Sequence, residues 1–258
     1  MTAYLYKDEE HRCVEFSDLI MGDQGIQANQ FMIINNEEGA VLDPGGLISH
    51  AALTAQIERQ PTCKKLIYVI ASHQDPDIVG STERWLVNTK VKFVISGLWK
   101  RFIPHLVSRV AQNQFLDRII AVPDRGMRIP LGESELYLLP SHFLHSVGNI
   151  CTYDPVSKIL FSADIGASVG ADHAGQPVED FKAHTLTMEG FHKRYMVNKR
   201  VLNLWVNMVR TLDVEQIVPQ HGKRFVGKPM VNAFLDWLCT LECGTDLVTQ
   251  ALYRVPEK

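Results

Sequence analysis

The stretch "SHQDPDIVGS", Ser72 to Ser81, decides how this chain is read. It follows "LIYVIA", Leu66 to Ala71, an apolar run with the length and β-branched content of a buried strand. His73, Asp75 and Asp77 occupy alternate positions just beyond it. Residues two apart in extended backbone point the same way, and a turn induced by Pro76 can splay them toward two centres. A single metal ion would be crowded by all three.

Three more polar residues stand in similar places: His145 in "LPSHFLHSVGN", Asp164 in "ILFSAD" and His221 in "IVPQHG" each close or follow an apolar strand. Loops at strand ends are where a rigid sheet presents side chains in fixed geometry, so residues distant in sequence can converge there. Taken singly, a His or Asp at a strand end is more often a cap, a turn former or a solvated side chain than a ligand. The joint set of three imidazoles and three carboxylates is too large for one four-coordinate zinc. It suits two metals sharing a bridging carboxylate.

Around these loops the first half of the chain alternates strands and helices. "QFMIIN" and "AVLDPGG" flank the turn "NEEG" as a hairpin running into a Gly-rich bend, and "ISHAALTAQIERQ" is a helix with Ser49 as its cap. "GSTERWLVNT" reads as a helix, "VKFVIS" as a strand, "LWKRFIPHLVSRVAQ" as a helix broken by its proline and "RIIAV" as a strand. After Pro123 come back-to-back strands, "GMRIPL", "ELYLLPS", "NICTYD" and "KILFSAD", with an antiparallel look. The spacing of Val201, Trp205, Met208 and Leu212 predicts one long helix over Phe191–Asp213. A short strand in "EQIVPQHG" and a helix in "VNAFLDWLCTL" follow. With no low-complexity linker and no internal repeat, residues 1–258 are expected to form one α/β unit of two half-chains, each mixing strands with covering helices.

Composition sets the outer limits. With 46% hydrophobic residues, the 258-residue chain can bury a large core, and 26 basic against 29 acidic residues leave a net charge of −3. No run of like charge suggests a nucleic-acid track or an anionic membrane surface. The opening "MTAYLYKDEE" lacks the basic-then-apolar pattern of a leader, and no apolar stretch approaches the roughly 20 residues of a membrane helix, so the expected location is cytoplasmic. The five cysteines are scattered without a CxxC and read as reduced, mostly core filler.

These residues resemble those of metallo-β-lactamase-fold proteins, and in particular the diiron domain of flavodiiron proteins and their stand-alone, oxygen-binding diiron relatives. The resemblance runs through "FMIINNEEGAVLDPGG", "SHQDPDIVGS", "LHSVGNICTYDPVSKILFSADIGAS" and "IVPQHGKRF". It implies an αββα four-layer sandwich of the α/β class, with two iron ions. By that similarity His73, Asp75 and His145 hold one iron, Asp77 and His221 the other, and Asp164 bridges them. The family's first loop runs His-x-Glu-x-Asp-His; here Asp75 replaces the glutamate and Ile78 the last histidine. The shorter Asp75 requires its metal to sit closer to the loop or to use a water, and Ile78 is expected to form an apolar wall leaving a coordination position open to a gas. Hydrolytic branches of the fold carry a histidine where Asp75 stands, and mixed carboxylate and imidazole donors favour iron or manganese over zinc.

The function so implied is a non-haem diiron protein that binds O2 or NO as a gas or redox sensor. Two ferrous ions a few ångströms apart can together supply two electrons to O2. An O2 or NO reductase fed by a separate electron donor is the enzymatic alternative, and a metal-dependent hydrolase is a third. Only 37 residues follow His221, too few for a flavodoxin domain, so no flavin is expected on this chain and the partner is a redox donor or a signalling protein. A homodimer is common among such proteins and fits the apolar helix ends.

Three further residues invite roles. His142, three before His145, is placed to reach the second metal or to donate to a backbone carbonyl. His184 and Tyr195 in "KAHTLTMEGFHKRYM" are candidate catalytic proton or hydrogen-bond donors to a bound oxygen species, although anchoring the helix is the plainer role. Asp43 before "PGG" is either a turn residue or a partner to a ligand histidine. "HGKRFVGK" lacks phosphate-loop spacing and takes no nucleotide role.

Overall fold

The computed structural model describes residues 2–22, 25–60, 62–108, 115–168 and 175–256. Two sheets stack face to face with helices on their outer sides. The first contains β1 (Thr2–Lys7), β2 (His11–Phe16), β3 (Gln30–Asn35), β4 (Glu38–Leu42), β5 (Lys65–Ile70), β6 (Lys92–Ser96) and β7 (Ile119–Val122), in that spatial order. β1 to β4 are antiparallel, and β4 to β7 run parallel through helical crossovers. α1 (His50–Ile57), α2 (Pro76–Val79), α3 (Thr82–Asn88) and α4 (Gly97–Lys100) lie on these crossovers.

The second sheet has the order β13-β12-β11-β10-β9-β8. Its members are β8 (Met127–Leu131), β9 (Ser134–Pro140), β10 (Ile150–Asp154), β11 (Ile159–Phe161), β12 (Gln216–Val218) and β13 (Phe225–Val226). The expected antiparallel run holds from β8 to β11, whereas β12 joins parallel to β11 after the helical crossover α5 (Phe181–Tyr195) and α6 (Lys199–Val209). α7 (Lys228–Thr240) closes that side.

The strand sequence explains the layering. In β3, Phe31 and Ile33 face the second sheet among Leu136, Leu138 and Phe161, while Met32 and Ile34 face the outer core with Leu53 and Trp85. Both faces are covered, so "QFMIIN" is apolar almost throughout rather than alternating. On the far side Leu202, Trp205, Val206 and Val209 form the buried stripe of α6 and pack with Phe234, Leu235 and Leu238 of α7. The result is the expected four-layer αββα arrangement.

Several elements differ from the sequence expectations. A hairpin, β1–β2, precedes the first strand legible in the pattern. Phe191–Asp213 is not one helix: α5 starts at Phe181 and ends at Tyr195, and α6 begins after Asn198, whose side chain accepts from the Val201 amide at 2.9 Å as an N-cap. Ser49 precedes α1 without a side-chain cap bond, its hydroxyl donating instead to the Gly46 carbonyl. The described part of "LWKRFIPHLVSRVAQ" forms α4 and a 3-10 turn at Ile103–Leu106, and the last four residues of that stretch, 109–112, lie outside the described residues. All five cysteines are free, and among the described residues no helix is long and apolar enough to cross a membrane.

Candidate metal centre

At one end of the sandwich the C-terminal ends of β5 and β11, the β9–β10 loop and the loop after β12 bring all six side chains together. Asp164 lies at the middle, 4% exposed. Its Oδ2 is 2.9 Å from His145 Nε2 and 3.6 Å from His73 Nε2, whereas its Oδ1 is 3.6 Å from His221 Nε2. Asp75 Oδ2 stands 3.7 Å from His73 Nε2 and 3.4 Å from His145 Nε2. Asp77 Oδ2 is 3.4 Å from His221 Nε2. Donors sharing one ion at bonds of about 2.1 Å lie roughly 3.0–3.5 Å apart, so these spacings suit shared ions. His73, Asp75 and His145 converge at one point and Asp77 with His221 at another, and one carboxylate faces both.

The His73 and His221 rings are aimed by what their other nitrogens touch. Ser72 Oγ lies 2.9 Å from His73 Nδ1, and the Ser72 amide donates to Asp43 Oδ1 at 2.9 Å. Asp43 thus acts on His73 through Ser72, and its positive φ of 55° belongs to the same bend. Burial raises the Asp43 carboxyl to about 6, against the pull of His73 and of both Ser72 groups. Two residues on, Gly45 sits at φ +84°, where a Cβ would also come 2.6 Å from Ser49 Oγ. His221 Nδ1 donates to the Gln27 carbonyl at 2.7 Å, leaving Nε2 facing the site. His145 follows a cis Leu144–His145 peptide, in a loop held by the Ser146 hydroxyl on Gln74 Oε1.

The electrostatics are those of a cluster of mutually facing imidazoles and carboxylates. Burial pulls the His145 and His221 rings toward neutrality, yet facing carboxylates, Asp164 and Asp75 for the first and Asp77 and Asp164 for the second, raise both to about 9. Hydrogen bonds with His145 and His73 hold Asp75 far below the usual carboxylate range. Asp164 Oδ1 is buried without a hydrogen-bond partner, an expensive state for a carboxylate oxygen unless something positive occupies the space before it. The residues therefore fit a pair of metal ions.

Above the cluster opens a cavity of about 510 Å³, lined on one side by Ile20, Ile26, Leu47 and Ile48. Tyr195 and Phe191 stack at 4.8 Å between ring centres and meet the His145 ring edge-on, at 5.6 and 6.1 Å. Tyr195 is thus brought to the site. His184 is not in the cavity wall: its ring packs on Phe225, and burial with nearby Lys223 lowers it to about 4. His142 turns away and donates from Nε2 to the Asp124 carbonyl at 2.7 Å.

Ile78 corrects an expectation. It is fully buried in the helix-covered core with Leu53 and Trp85 and does not wall the cavity. The one-turn helix α2 rotates position 78 away from the donor cluster, and Gly46 and Gly80 border the cavity near Asp77 instead. Sequence reasoning also missed His192. Its Nδ1 donates to the Met188 carbonyl and its Nε2 accepts from the Gly166 amide at 2.9 Å, pinning the turn that carries Asp164 to α5. Burial lowers this ring to about 4, so the neutral form does the pinning. The signal was available as the four-residue spacing His184, Met188, His192, the buried stripe of α5.

Residues 26–222 match the family model described as "ODP family beta lactamase". The structure is similar to the peroxy diiron species of chemotaxis sensor ODP, with 38% identity over 95% of this chain and 97% of the other and a TM-score of 0.84. It is equally similar in identity, 38%, to the apo state of chemotaxis sensor ODP from T. denticola, with a TM-score of 0.81 over 96% and 97% of the two chains. Rubredoxin oxygen:oxidoreductase from Desulfovibrio gigas matches at 15% identity and TM-score 0.74, over 92% of this chain and 61% of that one, a likeness of fold alone. No curated protein matches in sequence.

Proposed function

The chain belongs to the ODP family of the β-lactamase fold, and from that kinship and its six converging side chains we propose that it is a diiron protein that binds O2 and serves as a gas sensor. The observation that carries the reading is Asp164: one oxygen faces His73 and His145, the other faces His221 and lacks a partner. His73, Asp75 and His145 hold one iron, Asp77 and His221 the second, with Asp164 between them. When bound, the pair of ferrous ions supplies the electrons that fix O2.

The rest is the work of the protein. Three carboxylates balance most of the charge of two divalent cations in a buried place. Ser72 and the Gln27 carbonyl keep the protons of His73 and His221 on Nδ1, so that both Nε2 atoms are free to ligate. The apolar side of the cavity admits a small neutral gas without offering further ligands, and Tyr195, beside His145, brings a hydrogen-bond donor to its wall. His184, packed away from the cavity, anchors α5. The whole chain acts as one such domain in the cytoplasm, carries no flavin, and passes its state to a signalling protein, as the chemotaxis role named for its relatives suggests.

The test is metal analysis and visible spectra of protein purified without oxygen and then exposed to air. Two irons per chain and a new absorption band are expected, with Asp164→Ala and His145→Ala each losing at least one iron. Unchanged iron in both variants refutes the ligand assignment. Sustained O2 or NO consumption with added NADH and electron-transfer proteins moves the reading to a reductase.

A further inference from the structure

The strand register puts His11, Asn35 and Asp154 at the end of the sandwich opposite the candidate iron centre, where His11 pairs with Asn35 and β10 ends at Asp154. Three donor types meet there, all buried: His11 Nε2 is 2.7 Å from Asp154 Oδ2, Cys13 Sγ is 3.2 Å from the same oxygen, and Sγ to Nε2 is 3.8 Å. We propose that His11, Cys13 and Asp154 form a second metal site, taking one divalent cation of borderline softness, Zn2+ before others.

Geometry gives the first argument. Tetrahedral bonds of about 2.0–2.3 Å to nitrogen, oxygen and sulfur place such donors roughly 3.3–3.6 Å apart. The present separations bracket that range, so each atom need move only about half an ångström. Charge gives the second. A thiolate and a carboxylate neutralise the dication and His11 stays neutral, leaving a buried site without net charge.

The third argument is the crowding of one atom. Asp154 Oδ2 faces His11 Nε2, Cys13 Sγ, Ser157 Oγ and, at 3.4 Å, the Ser157 amide, and a carboxylate oxygen has about two lone-pair sites for these four donors. An ion takes over two of those contacts and leaves Ser157 as the hydrogen-bond donor that orients the carboxylate. Access is provided by a cavity of about 630 Å³ that reaches His11 and is lined by Asp8, Glu9, Glu10 and Glu133, a wall that draws cations.

Loading has a defined rearrangement. Asn35 Nδ2 lies 3.1 Å from His11 Nδ1, so the ring proton sits on Nε2 until an ion arrives. That proton then moves to Nδ1 and the Asn35 amide turns its oxygen toward it. The Glu133 amide, which donates to Asn35 Oδ1 at 2.8 Å, is on an exposed turn where water replaces the acceptor. The thiol proton of Cys13 leaves to solvent as the sulfur bonds the metal.

Cobalt tests this on the intact protein, because the iron-centre donors include no sulfur. Metal-stripped protein reloaded with Co2+ should develop a near-ultraviolet thiolate charge-transfer band equal to one thiolate per chain, bleached by excess Zn2+. Cys13→Ser should abolish the band while leaving iron content at the other centre unchanged, and a Cys63→Ser, Cys239→Ser double variant should keep it. A folded wild-type protein without the band at saturating Co2+, or a band lost in the double variant, overturns the proposal. Should Cys13→Ser fail to fold, a folded variant carrying Cys63→Ser, Cys151→Ala, Cys239→Ser and Cys243→Ala decides, a retained band assigning the thiolate to Cys13 and a lost band overturning the proposal.

Discussion

Replacing Ser72 with alanine removes one hydroxyl and leaves every proposed ligand side chain in place. Its Oγ is 2.9 Å from His73 Nδ1, and the two residues are 8% and 1% exposed, so no solvent takes over the contact. The Nδ1–H then becomes a buried donor without an acceptor, a loss of about 1–3 kcal/mol. The same figure follows from metalloprotein ligand histidines, whose supporting partners are worth about 10–100-fold in affinity, or about 1.4–2.7 kcal/mol. The Ser72 amide still donates to Asp43, so the loop keeps its backbone anchor. On the proposed ligand set, the weakening should therefore fall on the ion assigned to His73, Asp75 and His145, while the ion assigned to Asp77 and His221, steadied by the Gln27 carbonyl, changes less than about threefold. Anaerobic Fe2+ titration against a chromophoric chelator resolves the two steps. Equal weakening of both, or of neither, refutes the reasoning.

Burial raises Glu15 from 4.5 to about 7 despite Arg224, so the folded protein favours the protonated acid. The associated stability is complete below pH 4.5 and is lost as pH rises through about 7, a change of about 3 kcal/mol. Glu15→Gln should gain that amount over wild type in urea melts at pH 8 and nearly nothing at pH 4; a pH-independent difference contradicts this. Tyr195→Phe, at a residue 54% exposed, should change stability by less than about 0.5 kcal/mol and leave iron content alone, but shorten the life of the oxygenated protein by roughly tenfold or more. Identical decay rates exclude the hydroxyl from the site. Asn198→Ala should cost about 1 kcal/mol through loss of the α6 cap, and thermal melts that match wild type would show that the break between α5 and α6 is held by packing alone.

The site was more legible than the frame around it. Loop residues such as His73, Asp164 and His221 are legible as a set, because three imidazoles and three carboxylates recur in the same place just after apolar strands, and the fold delivers all of them to one end. The break at Asn198 was hidden because Val201, Trp205 and Met208 continue a helical rhythm, and spacing reports the face of a helix but not where the axis changes. His192 was hidden because its use depends on the Gly166 amide, a contact across 26 positions. Ile78 misled in another way: its place in the loop motif is right, but a single turn of helix points it into the hydrocarbon core.

Helix α5 touches the candidate iron centre twice. Through His192 it grips the turn bearing Asp164, and through Phe191 and Tyr195 it leans on His145, while Leu186 on its outer surface is 78% exposed. A rod fastened to two members of the proposed ligand set works as a mechanical gauge: a change in the gap between those side chains has a stiff path to the protein exterior.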